Sequence, residues 1–169
     1  MLPHYIENHN AIMEAAGRGD LSELKNYRPL ANPIVTYCNG ATVALYQGHT
    51  ACVLYLLDQC KLPSGFPTNF LLTAVMVNNI AVVQDLLRRG ANPSHNYCAA
   101  LRAASDNGCV EIFDLLYPLS NVIQALKRID PTVPSLLRDR YEAERQAGKL
   151  RKSLKNADPK SGPKSLRKL

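Results

Sequence analysis

Tryptophan is absent from this 169-residue chain, and Phe and Tyr together make up only 7% of it. A core must therefore be assembled from Ala, Leu, Val and Ile. No apolar run approaches the about 20 residues that a membrane-spanning helix needs. Stretches such as that around Phe70 to Val77, which is broken by Thr73, reach only about eight residues. The opening residues, Met1-Leu2-Pro3-His4-Tyr5, lack the basic stretch followed by an apolar one that marks a secretory leader. The five cysteines (Cys38, Cys52, Cys60, Cys98, Cys109) include no Cys-x-x-Cys pair, have no histidine cluster beside them and are odd in number. This argues against a disulfide framework or a zinc site and for small buried hydrophobes. Phosphate-cradling glycine motifs and the His-Glu-x-x-His metalloprotease motif are also missing. His4, His9, His49 and His95 are scattered, with no carboxylate or nucleophile at helical spacing to orient them. Arg18-Gly19-Asp20 is read as a chance tripeptide across a turn. These absences lead to the expectation of a soluble, intracellular, monomeric non-enzyme without cofactor or metal, in the cytoplasm, the nucleus or a host cell.

With 46% apolar and 20% charged residues, the chain has the material for a folded domain. Its net charge of +6 is unevenly placed. Residues 1–137 carry 9 Lys and Arg against 10 Asp and Glu, a net of −1, whereas residues 138–169 carry 11 against 4, a net of +7. The body is near neutral, and all of the excess positive charge lies at the C-terminal end.

Self-similarity organises the body. Four segments align: Ala15-Ala16-Gly17-Arg18-Gly19, Ala44-Leu45-Tyr46-Gln47-Gly48, Ala74-Val75-Met76-Val77-Asn78 and Ala104-Ser105-Asp106-Asn107-Gly108. Their leading alanines are 29, 30 and 30 positions apart. Each is followed by apolar residues at helical spacing: Leu21 and Leu24; Val53, Leu56 and Leu57; Val82, Val83, Leu86 and Leu87; Ile112, Phe113, Leu115 and Leu116. Each copy thus predicts a helix, a tight turn and a second helix. Two antiparallel helices joined by a few residues need a terminator in left-handed conformation, which Gly supplies freely and Asn tolerates. Gly19, Gly48, Asn78 and Gly108 hold that place. Asn10, Asn39 and Asn69, each five residues before the leading alanine, are expected to cap the first helices. The fourth copy, with Ala99 there, shifts its cap towards Asn96.

The sequence here resembles the ankyrin-repeat family. Leu86-Leu87-Arg88-Arg89-Gly90-Ala91-Asn92-Pro93 is similar to the end of that family's second helix and its Gly-Ala-Asp/Asn turn. Asn107-Gly108-Cys109-Val110-Glu111-Ile112-Phe113 is similar to its Asn-Gly-His-x-Glu-Val-Val stretch, and Gly48-His49 to its Gly-His pair. The Thr-Pro-Leu-His signature is missing in every copy, its histidine place holding Met13, Thr42, Leu72 and Arg102. The period of about 30 instead of 33 resembles short-period members from giant viruses and some bacterial effectors, and shortens the β-turn finger. The resemblance covers Asn8 to about Ser120. It implies an all-α, ankyrin-type helix-turn-helix solenoid of four repeats (9–38, 39–68, 69–98 and 99–120). A pair of capping helices is expected over 121–148, the second opening at Pro134, with a basic, flexible tail over 149–169.

In this family partners bind the concave side, made of the finger tips and the outward face of each first helix. The resemblance therefore implies a protein-protein interaction module, a host-directed factor if the source is a virus or an intracellular bacterium. Its contact residues would be Arg18, Tyr37, Tyr46, Gln47, Phe66, Met76, Tyr97 and Asp106, with Tyr37, Phe66 and Tyr97 at the tips. His49 is expected to bond across loops. The alternative is a nucleic-acid or chromatin-associated protein that uses Lys149, Arg151, Lys152, Lys155, Lys164, Arg167 and Lys168. An anionic surface is a further partner open to that basic segment.

Overall fold

In the computed structural model of the chain, which describes residues 4–27, 33–59, 65–128 and 135–156, the backbone reverses at all four expected turns. Gly19, Gly48, Asn78 and Gly108 have φ of +76°, +80°, +54° and +66°. The bonding repeats as well. Asp20, His49, Asn79 and Cys109 donate their N–H groups to the carbonyls of Ala15, Ala44, Ala74 and Ala104 at 2.8 to 3.0 Å. The turn residues themselves donate to Ala16, Leu45, Val75 and Ser105 at 2.9 to 3.3 Å. This paired closure satisfies carbonyls that a helix end leaves without partners. The residue after each turn then starts the next helix, and the side chains of Asp20 and Asn79 accept from the N–H groups of Glu23 and Val82.

The described residues are all-helical. In order they form α1 (His4–Arg18), α2 (Leu21–Asn26), α3 (Pro33–Tyr46), α4 (Thr50–Asp58), α5 (Phe66–Met76), α6 (Ile80–Arg88), α7 (His95–Asp106) and α8 (Val110–Leu116). A 3-10 turn at Tyr117–Leu119, α9 (Val122–Leu126) and α10 (Leu136–Asn156) follow. The chain divides into two compact units, Met1–Ile129 and Asp130–Leu169.

The first unit is two rows of helices. In one row α1 packs on α3, α5 on α7 and α7 on α9, and in the other α2, α4, α6 and α8 follow one another. The rows meet where the two helices of each copy face each other, and there the leading alanines Ala15, Ala44, Ala74 and Ala104 are fully buried. Within the first row α1 and α3 also approach closely: a Cβ on Gly17 would lie 3.3 Å from Val43 Cγ1. Opposite the alanines lie Leu24, Val53, Leu56, Leu57, Val82, Val83, Leu86, Ile112, Phe113 and Leu116, all buried. Of neighbouring first helices, α3 and α5 touch least, so copies two and three are joined mainly through α4 and α6. Arg89 makes that joint. Its Nε donates to the buried Asp85 carboxylate at 2.5 Å and its Nη1 to the Leu57 carbonyl at 3.3 Å, while its Nη2 pairs with Asp58. Burial alone would lower the Arg89 pKa, but the bonds to Asp85 and Asp58 overcome it and raise the value, so the guanidinium stays charged.

Three expectations need correction. The first helices do not begin at Asn10, Asn39 and Asn69. They start earlier, so Tyr37, expected at a finger tip, lies in the opening turns of α3, and Phe66 opens α5. Proline at the first helical turn, Pro33 in α3 and Pro67 in α5, costs no donor and presets φ. Burial settles the matter, since Thr36 and Tyr37 are only 0% and 5% exposed. An interior Asn costs a helix at most about 0.7 kcal/mol, less than the about 2 kcal/mol that burying an aromatic ring returns.

The fourth copy differs again. Its N-cap is Ser94, and Asn96, Tyr97 and Cys98 stand in left-handed conformation, with φ of +48°, +54° and +56°. The regular turns of α7 therefore begin at Ala99. This costly run is offset by the burial of Cys98, whose Sγ reaches the Asn121 carbonyl at 3.2 Å, and by the Asn121 N–H donating to Ser94 Oγ at 2.9 Å.

The third correction concerns the C-terminal helices. α9 belongs to the first unit and α10 to the second. Pro134 lies outside the described residues. α10 does not stop at Gly148 but runs to Asn156. One interior Gly costs a helix about 1 kcal/mol, and Gly148 keeps its φ out of the left-handed region. The Lys, Arg and Leu that follow it are good helix formers, and cations suit a helix C-terminus.

Candidate partner-binding surface

Each contact residue expected from the sequence can now be placed. Tyr46 ends α3 and Met76 ends α5, each two residues beyond a fully buried alanine. They are 62% and 60% exposed, among the most open large apolar side chains described in the first unit. The equivalent position holds Gly17 in α1 and Asp106, exposed, at the end of α7. Gln47 is exposed in the turn beside Tyr46. One register thus carries an exposed face across the C-terminal ends of the first-row helices.

Other expected residues do not belong to that face. Tyr37 is buried in α3, so its role as a tip contact is withdrawn. Phe66 is half-buried, its ring stacked 5.1 Å from that of Phe70, and packs rather than projects. Tyr97 is 44% exposed, but one side of its ring is covered by the Arg128 guanidinium at 4.3 Å. Of the basic positions, Lys149, Arg151 and Lys152 are exposed on α10, and Lys155 lies on the same helix. Lys164, Arg167 and Lys168 lie outside the described residues. Val35, 56% exposed on α3, is a further open apolar residue of the first row. The sequence reading missed two exposed apolar residues at the end of the first unit, Leu119 and Ile123.

Arg18, at the end of α1, is not free to reach a partner. Its Nη2 donates to Glu23 at 2.5 Å and its Nη1 lies 3.7 Å from Glu14. The bond to Glu23 raises the arginine pKa further. Glu23 also accepts from the Tyr27 hydroxyl at 2.7 Å, and this bond, followed by that from Arg18, holds its pKa below the ordinary carboxylate range. A carboxylate whose folded pKa is depressed contributes stability above its unfolded pKa, about 4.3, and loses it as pH falls through the lower folded value. A carbon-detected NMR titration should find the Glu23 midpoint below that of a model peptide, and Tyr27→Phe should move it upward.

The turns on this side are cross-linked from copy to copy. His49 Nε2 donates to the Gly17 carbonyl at 3.1 Å, and its ring lies against Gly19 so closely that a Cβ there would be 2.6 Å from Nδ1. Asn79 Nδ2 donates to Thr50 Oγ1 at 2.7 Å in the preceding copy. His49 is thus a loop-to-loop tie. His9 lies in α1, its Nδ1 2.8 Å from the buried Thr36 hydroxyl of α3.

Nothing else described gathers chemistry into one place. Among the described residues no group of three or more His, Cys, Asp or Glu could hold a metal ion. Every buried side-chain polar atom in them has a hydrogen-bond partner. A cleft between α5 and α7, bordered by Asn69, Leu72, Asn92 and His95, encloses about 130 Å³, below the range of about 300–1,000 Å³ that holds a typical small ligand. Burial raises the Cys52 thiol above its ordinary pKa, opposite to what a nucleophilic cysteine requires. No described helix is long and apolar enough to cross a membrane. The chain matches no protein-family model, no curated protein and no solved structure.

Proposed function

We propose that the first unit is an ankyrin-type helix-turn-helix solenoid of four repeats that works as a non-catalytic module binding another protein. The solenoid reading is supported by the four equivalent turn closures on Ala15, Ala44, Ala74 and Ala104 and by the two rows of helices. The observation that carries the functional reading is the exposure of Tyr46 and Met76 at equivalent positions of successive copies. Neither is needed to close its own helix pair, because the alanine two residues earlier does that. Large, adaptable side chains in such a place give contact area at modest entropic cost, and aromatic residues and Met are enriched at protein interfaces. The near-neutral charge of residues 1–137 suits a partner recognised by shape and apolar contact.

The test is capture by full-length protein, with mass-spectrometric identification of what is retained. Tyr46→Ala combined with Met76→Ala should leave the far-ultraviolet circular dichroism unchanged and reduce the retained partner at least about tenfold, the scale of an interface hot spot. Unchanged retention, together with its loss on Gln84→Ala and Glu111→Ala (exposed on α6 and α8), would place binding on the second-row helices.

A further inference from the structure

The C-terminal half of α10 is built unlike the rest of the chain. The start of the helix is buried at Leu137, but every residue from Glu142 to Ser153 is exposed, and no second described element of its own unit is available to cover it. Leu150 is 61% exposed. Helical register puts positions 143, 147, 150 and 154, which are Ala, Ala, Leu and Leu, on one face. Arg145, Lys149 and Lys152 follow the opposite face at the same spacing, with Arg151 and Lys155 towards its edge. Glu144 accepts from Arg140 Nε at 3.2 Å on its N-terminal side. Beyond Glu144 the helix carries five cations and no anion, and among the described side chains Arg145, Lys149, Arg151 and Lys152 have no ion-pair partner. The sequence after it adds Lys160, Lys164, Arg167 and Lys168 against the single acid Asp158.

We propose that this half of α10 docks on an anionic lipid surface, lying in the interface plane with its Ala/Leu face at the acyl boundary and its cations among the headgroups. Charge complementarity identifies the occupant as anionic, and the apolar face selects a membrane over a nucleic acid. Phosphate neutralisation along a duplex uses cations alone and would leave Leu150 in water, whereas an interfacial helix uses both faces. With only two leucines in the apolar face, attachment is reversible and depends on the charge of the surface.

Co-flotation of the full-length chain with vesicles tests this directly. Vesicles of phosphatidylcholine with about one third phosphatidylserine should retain at least about tenfold more protein than phosphatidylcholine alone at about 0.1 M salt. Leu150→Gln with Leu154→Gln should reduce that retention several-fold and leave binding to a duplex RNA of similar charge unchanged. Lys149→Gln with Lys152→Gln should weaken both. Lys149, Leu150 and Lys152 are exposed, and an unchanged melting curve confirms that each variant folds. Equal retention by the two kinds of vesicle overturns the proposal. Retention by anionic vesicles that ignores the leucine pair overturns it too, as does RNA binding tighter than vesicle binding, which would assign the helix to nucleic acid.

Discussion

Leu86→Ala is expected to lower stability by about 2–5 kcal/mol, one of the two largest single-residue effects expected in this chain. Leu86 is fully buried in α6, where its neighbours Val82 and Val83 are equally buried. Removing three heavy atoms forfeits their transfer free energy, and the surroundings cannot collapse fully into the space. The loss would be a large part of the about 5–15 kcal/mol that such a domain has in total. A fall of at least about 10 °C in the thermal midpoint should follow. Because α6 joins copies two and three through Arg89, urea unfolding should begin at that joint and lose cooperativity. A change below about half a kcal/mol would mean that residue 86 faces solvent and that the assigned register of the second helices is wrong.

The second large effect belongs to a turn. Gly19→Ala should cost about 2–3 kcal/mol, because two penalties coincide. A side chain at φ +76° is strained by about 1–2 kcal/mol, and its Cβ would stand 2.6 to 2.8 Å from three atoms of the His49 ring. Relief requires His49 to move, which breaks its bond to the Gly17 carbonyl. Gly48→Ala separates the two contributions. Gly48 has φ +80° but nothing within 4 Å of the added atom, so only the conformational penalty remains. Chemical denaturation of both variants should find Gly48→Ala about 1 kcal/mol less stable than the parent and Gly19→Ala distinctly worse. Equal losses would mean that His49 has room to yield and that the tie between copies one and two is slack.

These turns are also what the sequence disclosed best. A left-handed residue every 29 or 30 positions can be read directly, because few residue types tolerate that conformation and the requirement is local. The buried alanines were legible for a similar reason: close helix approach restricts size. Helix starts were not. Asn39 and Asn69 are good caps in isolation, but the burial of Tyr37 ahead of Asn39 and the stacking of Phe66 on Phe70 favour helices that begin sooner. Such non-local gains leave no local mark. The same blindness puts Tyr37 on the surface, whereas the exposure of Tyr46 and Met76, which follow a buried alanine by a fixed two residues, is legible from register alone. At the C-terminal end Gly148 closes the stretch the sequence marks as helical, yet its backbone keeps to the helix, and the cations after it are stable on a helix C-terminus.

The central claim is that the first-row face around Tyr46 and Met76 binds a protein. Calorimetric titration of the retained partner measures it most directly, with the full-length chain and with Tyr46→Ala/Met76→Ala, each at about 0.05 M and 0.2 M salt. The account predicts a Kd raised at least about 30-fold by the two substitutions and changed only a few-fold by salt. A Kd indifferent to the substitutions but weakened about a thousandfold or more across the same salt range would contradict it, and would move the binding from the helix rows to the cations of the C-terminal segment.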